Sequence, residues 1–240
     1  MGSETAKRPS ILCHSCAARN GRLCSVMDED SIYELDALAT RVTINKGEYL
    51  FEEEDPTRYV YNLQVGMGYL ERLSSDGRRQ IMAFLYPGDF IGLIPDSIVS
   101  VSAKALSPLT ACRWEMKDID KLMDKHHELE HRIRRIGNRV LATTMDQLFI
   151  LGCKNARERL AFFLLQMEKR QKMATGEADS IHLPMTRGDI ADYLGVTVET
   201  VSRVFTIIKE EGLIALPDPY EVIILEREKL ENIAEYYTVT

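Results

Sequence analysis

The chain has 240 residues, of which 45% are hydrophobic and 28% are charged, and its formal net charge at pH 7 is −7. These proportions are those of a soluble globular protein that buries one large or two modest cores, and no run of residues approaches the roughly 20 apolar ones that a membrane helix needs. The acidic balance excludes a general basic field for nucleic acid, so any DNA contact must come from a few well-placed groups.

The N-terminal section, residues 1–29, is short, basic and rich in cysteine. It opens with the polar stretch Met1 to Pro9, which lacks the apolar core of a secretion signal. We therefore expect a cytoplasmic protein with no membrane partner.

The cysteines predict metal or redox chemistry, because a cytosolic chain does not normally hold structural disulfides. There are five of them: Cys13, Cys16, Cys24, Cys112 and Cys153. The first three form a Cys-X2-Cys-X7-Cys cluster, and thiolates suit zinc or an iron–sulfur cluster. Cys112, on an apparent strand, is the candidate fourth ligand, with His14 as an alternative in a zinc site. Cys153 is expected to be an inert buried thiol.

The second section, residues 30–125, has the pattern of many short strands. Tyr59–Val65 and Gln80–Leu85 are strand candidates, and turn signals such as Ser75-Asp76-Gly77 and Pro87-Gly88-Asp89 separate such runs. Regular short strands with glycine turns predict a β-roll, sandwich or barrel.

The third section, residues 126–153, changes to a helical period without an interrupting proline. The residues that recur at three- and four-residue steps are Ile133, Ile136, Val140, Thr144, Leu148 and Leu151. So narrow a stripe on so long a helix predicts a parallel two-stranded coiled coil with a second copy of the chain. Packing of the helix on its own β-domain is the alternative.

The fourth section, residues 154–240, contains the strongest signal in the chain. Thr186 with Asp189 predicts a capping box at a helix start, and Gly195 supplies the left-handed residue that ends this helix. Thr197 can cap a second helix, in which Val201, Val204, Phe205 and Ile208 form a buried stripe. Two short helices joined by a glycine turn, with the predicted strand Tyr220–Leu225 behind them, indicate a winged helix-turn-helix.

The opposite face of the second helix predicts DNA reading. It carries Glu199, Ser202, Arg203 and Thr206, and Thr197 and Thr200 stand at its start as further DNA contacts. Arg bonds guanine through two donors and Glu accepts from cytosine, so Glu199 and Arg203, one turn apart, can read both members of one G·C pair. The alternative is a solvated face with a Glu–Arg pair worth a few tenths of a kcal/mol.

These residues resemble a known family. The string LPMTRGDIADYLGVTVETVSR closely resembles the DNA-binding core of the CRP/FNR superfamily, and especially its FNR branch. The likeness continues through DGRRQIMAFLYPGDFIG, the long helix and NARERLAFFLL, and so spans nearly the whole chain. It implies an α+β fold: an N-terminal β-roll like that of cyclic-nucleotide-binding domains, a dimerisation helix and a C-terminal winged helix-turn-helix.

The resemblance also implies a mechanism. In the FNR branch, three N-terminal cysteines and one in the β-domain hold an oxygen-labile 4Fe–4S cluster, and Cys13, Cys16, Cys24 and Cys112 match them, with the spacing of FnrN/FnrL-type members. An intact cluster lets the long helices pair, and the homodimer then binds DNA, usually as an activator that works with RNA polymerase. Asp146 resembles an acidic residue that weakens this pairing until the cluster is in place.

The family's base-reading residues match Glu199, Ser202 and Arg203. Their presence implies a palindromic site similar to TTGAT-N4-ATCAA, and half-site symmetry agrees with a two-fold symmetric dimer.

Other functions fit the sequence less well. A cyclic-nucleotide receptor needs a cation for the phosphate, yet no Arg or Lys occurs between Arg79 and Lys104. A β-roll enzyme would need clustered His and carboxylate ligands, and no His occurs between His14 and His126. We therefore expect no enzyme activity and no cyclic nucleotide, whereas a haem sensor stays open.

Overall fold

The computed structural model describes residues 16, 23–56, 58–93, 98–176 and 179–235. The chain forms two compact units. The first runs up to Leu70 and continues with Phe84–Ala142, and the second combines Glu71–Ala83 with the chain from Thr143 onward. The division cuts the β-domain at one hairpin and the long helix near its middle.

The β-domain contains eight strands in two antiparallel sheets. The strands are β1 Thr40–Ile44, β2 Tyr49–Phe51, β3 Tyr59–Val65, β4 Gly68–Leu73, β5 Arg79–Leu85, β6 Phe90–Ile91, β7 Ser102–Ala105 and β8 Leu109–Glu115. One sheet has the order β1-β8-β3-β6 and the other β2-β7-β4-β5. Side chains from both sheets share one apolar core, as in a β-roll.

Helices cover the outer face of the sheet β1-β8-β3-β6. Helix α1, Glu29–Leu38, begins at Asp28, whose side chain accepts a hydrogen bond from the Ser31 amide at 2.8 Å. Helix α2 follows β8 as Met116–Lys125. Residues of both helices and of the long helix α3, His127–Cys153, form a second core with Trp114. Both helices differ from the prediction, because residues 30–125 carry the pattern of short strands throughout.

The second unit is a winged helix-turn-helix. Its elements are α4 Ala156–Thr175, β9 Ile181–His182, α5 Arg187–Leu194, α6 Val198–Glu210, β10 Ile214–Asp218, β11 Glu221–Ile224 and α7 Arg227–Ala234. The three strands form one antiparallel sheet in the order β10-β11-β9. The predicted strand Tyr220–Leu225 is β11, which is one residue shorter at each end.

The predicted α+β fold is confirmed: an N-terminal β-roll, a long helix and a C-terminal winged helix-turn-helix. No helix in the described parts of the chain combines the length and the apolar character that a membrane crossing requires.

Candidate functional site

Three of the four predicted cysteine ligands lie around one pocket in the first unit. Cys16, Cys24 and Cys112 line it together with Trp114 and the amide side chains of β3. The fourth, Cys13, lies outside the described residues. The sequence could not show that Cys112 is near the N-terminal cysteines; the structure brings them together.

The strand period explains why Cys112 faces outward from the roll. Alternate side chains of a strand point to opposite faces. On β8, Leu109 and Ala111 enter the core between the sheets, whereas Cys112 and Trp114 belong to the core under the helices. Leu23, fully buried in that same core, fixes the short turn that carries Cys24.

The arrangement of these cysteines differs from a mononuclear metal site. Within the described residues, no group of three or more His, Cys, Asp or Glu side chains is placed to hold a single metal ion. The described cysteines form no disulfide with one another. Cys153 was expected to be buried, but it lies exposed at the C-terminal end of α3.

Two amide side chains at the pocket were missed in the sequence. Asn62 pairs directly with Cys112 in the antiparallel register of β3 and β8. Gln64, two residues on, donates from Nε2 to the Cys16 sulfur at 3.9 Å. The signal that could have found them is a buried amide in the otherwise apolar run Tyr59–Val65, where strand packing favours β-branched or aromatic side chains.

The first helix of the helix-turn-helix begins and ends as predicted. The Thr186 hydroxyl accepts from the Asp189 amide at 3.1 Å, and the Asp189 carboxylate accepts from the Thr186 amide at 2.9 Å. Gly195 adopts φ 63° and ψ 40°, the left-handed conformation that ends the helix. This turn sets the angle at which α6 leaves α5.

Helix α6 presents the predicted reading face to solvent. Its stripe of Val201, Val204, Phe205 and Ile208 is buried. Glu199, Ser202, Arg203, Thr206 and Thr197 are exposed, and Thr200 is half-buried.

The polar groups on that face differ in their availability to DNA. The Glu199 backbone amide and the Thr197 hydroxyl lower the pKa of the Glu199 carboxyl, which keeps it an anionic acceptor. Thr206 donates its hydroxyl to the Ser202 carbonyl at 3.1 Å. Within the described residues Arg203 has no hydrogen-bond or ion-pair partner, so its donors remain available to a base.

The β4–β5 hairpin holds α5 from the other side. Arg79 donates to Asp189 and to Asp192, each at 2.6 Å, and Gln80 donates to the Tyr193 carbonyl at 3.3 Å. Burial opposes ionisation of Asp189, but the hydrogen bonds from Thr186 and the Arg79 guanidinium outweigh it and lower the pKa of that carboxyl. No local pattern predicts this contact, because Arg79 and Asp189 are 110 positions apart in the chain.

Arg159 of α4 connects the end of α3 to the end of α5. Its guanidinium donates to the carbonyls of Leu151 at 2.8 Å, Lys154 at 2.8 Å and Leu194 at 2.7 Å. The carbonyls at helix C-termini lack partners within the helix. Arg159 therefore caps both ends at once and fixes α3 against the helix-turn-helix within the second unit.

We expect Arg159→Lys to destabilise the second unit by about 2–3 kcal/mol, since one ammonium cannot match three carbonyls that a planar guanidinium reaches. Urea unfolding followed by circular dichroism measures the loss. Arg157→Lys on the same helix is the control, because Arg157 forms only a surface ion pair with Glu211 and should change stability by less than about 0.5 kcal/mol. Equal effects of the two substitutions would contradict the capping role.

The predicted dimer residues on α3 fall into three groups. Ile133 and Ile136 pack in or against the core under the helices, which corrects their placement on an exposed seam. Leu151 is half-buried, and its side chain lies beside Gly195. Val140 and Leu148 are 57% and 62% exposed.

The exposed part of the helix is broader than predicted. Leu141, Met145 and Phe149 are 59%, 59% and 58% exposed and adjoin Val140 and Leu148. Asp146 is also exposed. It precedes Phe149 by three residues, so the two side chains are neighbours on the helix surface.

Comparisons with known proteins agree with this architecture. The family model described as a Crp-like helix-turn-helix domain matches residues 158–233, and the model described as a cyclic nucleotide-binding domain matches residues 41–126.

Two relatives and one solved structure cover most of the chain. The nitrogen fixation regulation protein FixK of Bradyrhizobium diazoefficiens is 39% identical over 204 residues, covering 85% of this chain and 86% of the relative. The transcriptional activator protein FnrL of Cereibacter sphaeroides is 30% identical over 235 residues, covering 92% of both. The structure of FixK2 from Bradyrhizobium japonicum matches with a TM-score of 0.76 and 32% identity, covering 81% of this chain and 96% of that one.

Proposed function

The chain belongs to the CRP/FNR family of DNA-binding transcription regulators, which are not enzymes, and from this premise we propose that it is an oxygen-responsive activator. In this proposal a homodimer binds a palindrome of the type TTGAT-N4-ATCAA and recruits RNA polymerase while an iron–sulfur cluster is intact. The activator role follows FnrL, which is named as a transcriptional activator protein.

The oxygen-sensing part of this proposal is supported by one observation, the convergence of cysteines from distant parts of the chain. Cys16, Cys24 and Cys112 line one pocket, although up to 96 positions separate them in the sequence. Cys112 is 6% exposed and lies in an apolar core, where a thiol needs no metal to be stable. Its proximity to two further thiols is what supports a ligand role.

The donor set fits a 4Fe–4S cluster, which thiolates hold and which supplies oxygen-sensitive redox chemistry. Cys13, Cys16, Cys24 and Cys112 would hold it. A buried oxygen, Oδ1 of Asn62, has no hydrogen-bond partner at this site among the described residues; it is an acceptor, which water satisfies and a cluster does not. The cavity is about 20 Å³, the space of one water molecule, so the support for a cluster is the donor chemistry of the cysteines and not the size of the pocket.

Zinc is the alternative cofactor, because the same thiolates suit it. A haem sensor is the second alternative. No specific observation favours either alternative. Within the described residues, no three side chains that bind metals lie close enough together to hold a single ion.

The exposed apolar face of α3 supports the homodimer. Val140, Leu141, Met145, Leu148 and Phe149 form a continuous stripe that is more than half exposed. Contiguous apolar surface of this kind marks an interaction site. A second copy presents the same stripe along the same helix, and a parallel pair of helices covers both stripes.

The absence of a cyclic nucleotide stays a prediction. The match to a cyclic nucleotide-binding domain concerns the fold of residues 41–126. Apolar side chains from both sheets, including Phe51, Leu63 and Leu85, pack between them, and a cavity of about 370 Å³ lies beside Phe51, Tyr61 and Arg113. Calorimetry with cyclic AMP tests the prediction, and saturable binding would contradict it.

The proposal as a whole is tested by anoxic purification of the full chain. We expect a broad absorbance band near about 400 nm, with iron and acid-labile sulfide in equal amounts. Haem would show a sharp Soret band and zinc no band.

Binding to the palindromic duplex, compared with a scrambled one, is then measured before and after exposure to air. Iron and sulfide without any preference for the palindrome would refute the regulator in this form, whereas specific binding without a cluster would refute the sensing half alone.

A charge placed on the α3 stripe is expected to prevent pairing. Leu148→Glu should leave a monomer in analytical ultracentrifugation, because a carboxylate between two apolar stripes is buried without a partner. Asp146→Ala is the contrasting variant: Asp146 is exposed beside Phe149, and removal of its charge should favour the dimer and allow DNA binding in air. An oxygen response that is unchanged in Asp146→Ala would count against this role.

A further inference from the structure

The cavity beside Phe51, Tyr61 and Arg113 belongs to the β-roll. Its volume is about 370 Å³, and residues of β2, β3 and β8 line it, so both sheets contribute to its wall. Pockets that bind small molecules in proteins span about 300–1,000 Å³. Unlike the space beside the cysteines, this cavity can therefore hold a small organic molecule.

Arg113 is a charged residue at a position that the strand period assigns to the roll interior. On β8, Leu109 and Ala111 pack in the core between the sheets, and Arg113 is the next residue on the same face. In the antiparallel register it lies directly opposite Tyr61 of β3. Its side chain is half-buried. A cation in such a place lowers stability unless an anion or another acceptor accompanies it.

Among the described residues, no carboxylate pairs with Arg113. Its guanidinium instead lies over the Tyr59 ring, 4.4 Å from the ring centroid. This stacking uses the face of the guanidinium, and the N–H donors around its edge remain available. The cavity wall thus contains a half-buried cation whose donors can bind a ligand.

The charged groups of the wall leave a positive balance. Arg58 also lines the cavity, and within the described parts of the chain its side chain has no ion-pair partner. Asp55 sets one carboxylate against the two guanidinium groups, and this carboxylate already accepts a hydrogen bond from the Glu52 amide at 2.9 Å. Two cations and one anion match a ligand with a single negative charge.

The rest of the wall is apolar and aromatic. Leu50, Phe51 and Val99 line it, and the rings of Phe51 and Tyr61 are 5.7 Å apart. Burial raises the pKa of the Tyr61 hydroxyl and the Arg113 guanidinium opposes this only in part, so the hydroxyl stays a neutral donor. An organic anion can bury an apolar body against this wall, which favours its binding over that of an inorganic ion.

We propose that this cavity binds a small monocarboxylate with an apolar body, held by hydrogen bonds from Arg113 and Tyr61. A planar guanidinium matches the two oxygens of a carboxylate, and the tyrosine hydroxyl adds a further donor. The cations of this site lie beside the start of β3 and on β8, whereas the segment between Arg79 and Lys104, where a cyclic-nucleotide site would need its cation, has no Arg or Lys. The inference depends on the β-roll alone, so it goes beyond the proposed function and requires neither a cluster nor DNA.

The test is a titration of the full chain with benzoate and with hexanoate, followed by saturation-transfer NMR. Benzyl alcohol, which has a ring without the charge, inorganic phosphate and cyclic AMP are titrated in parallel. The variants are Arg113→Met and Tyr61→Phe, which remove donors and keep most of the side-chain volume. Arg78→Met is the matched control, because Arg78 is exposed on the β4–β5 hairpin and pairs with Asp76.

We expect saturable binding of a carboxylate with a dissociation constant of roughly 1 mM or below, and no saturable binding of benzyl alcohol or phosphate. Arg113→Met should weaken this binding about 10- to 100-fold, because it removes a charged donor. Tyr61→Phe should weaken it about 3- to 10-fold, the equivalent of one neutral hydrogen bond. Arg78→Met should bind as the wild type does.

The proposal is overturned if neither carboxylate binds, if benzyl alcohol or phosphate binds equally well, or if both variants bind as the wild type does. Cyclic AMP that displaces the carboxylate and binds more tightly would overturn the stated ligand class. If circular dichroism shows that Arg113→Met does not fold, Tyr61→Phe decides the question, since it keeps the ring in the core. None of these results depends on iron, sulfide or the palindrome, so the proposed function can fail while this inference holds.

Discussion

Replacing Arg203 by Ala is expected to lower the preference for the palindromic duplex over a scrambled one by about 10- to 100-fold per half-site. A bidentate contact between an arginine and guanine discriminates by about 1–3 kcal/mol. Arg203 is exposed on α6 and has no partner among the described residues, so the loss concerns recognition and not the stability of the fold. In a symmetric dimer both half-sites lose the contact, and the effects on the whole site multiply.

The measurement is a pair of titrations by fluorescence anisotropy, without oxygen, with the palindromic and the scrambled duplex. Lys209→Ala is the matched control, because it removes the same charge from the exposed far end of the same helix. A cation that contacts only phosphates contributes equally to both duplexes and changes the salt dependence. If Arg203→Ala weakened binding to the two duplexes equally, Arg203 would be a phosphate contact and the reading of a G·C pair would be refuted.

Loss of any one ligand is expected to remove the metal–sulfur centre altogether. Cys13→Ala, Cys16→Ala, Cys24→Ala and Cys112→Ala should each yield anoxically purified protein without stoichiometric iron and sulfide, because a cluster of this kind needs four protein ligands. Without the cluster, the proposal predicts no palindrome binding by these variants at concentrations where the wild type is saturated.

Cys112→Ala is the decisive variant, since the sequence alone does not place that residue near the others. It removes a small buried side chain from a core, which costs stability by about 1 kcal/mol, so circular dichroism should show a folded protein. Cys153→Ala is the control: Cys153 is exposed at the end of α3 and does not line the pocket. A folded Cys112→Ala protein that keeps its iron and sulfide would require another fourth ligand.

Local patterns in the sequence were sufficient for much of the fold. The strand Tyr59–Val65 was predicted with the bounds it has in the structure, and the long helix to within one residue at its start. The capping residues Thr186 and Thr197 and the left-handed Gly195 were predicted individually. Each of these features depends on a few neighbouring residues. The capping and turn preferences arise from hydrogen bonds between residues only three or four positions apart in the chain.

Helices α1 and α2 show where local patterns failed. They lie at the two ends of a section full of strand and turn signals, and the alternation of the strands masked their helical period. Tertiary packing holds them, since Leu35 of α1 and Leu122 of α2 are buried in the core that also contains Trp114. Such burial outweighs a weak intrinsic propensity.

The same division holds for function. By itself the sequence was enough to predict the DNA-reading face and the candidate ligands, because spacing along one helix or within one short cysteine motif specifies which side chains can act together. Only the tertiary structure decided that Cys112 lies at one pocket with Cys16 and Cys24, that Asn62 and Gln64 line it, and that Ile133 of α3 is buried under the helices. These relations depend on the pairing of distant strands and on the burial of one side of a helix, which are set by the packing of the whole domain and not by neighbours in the chain.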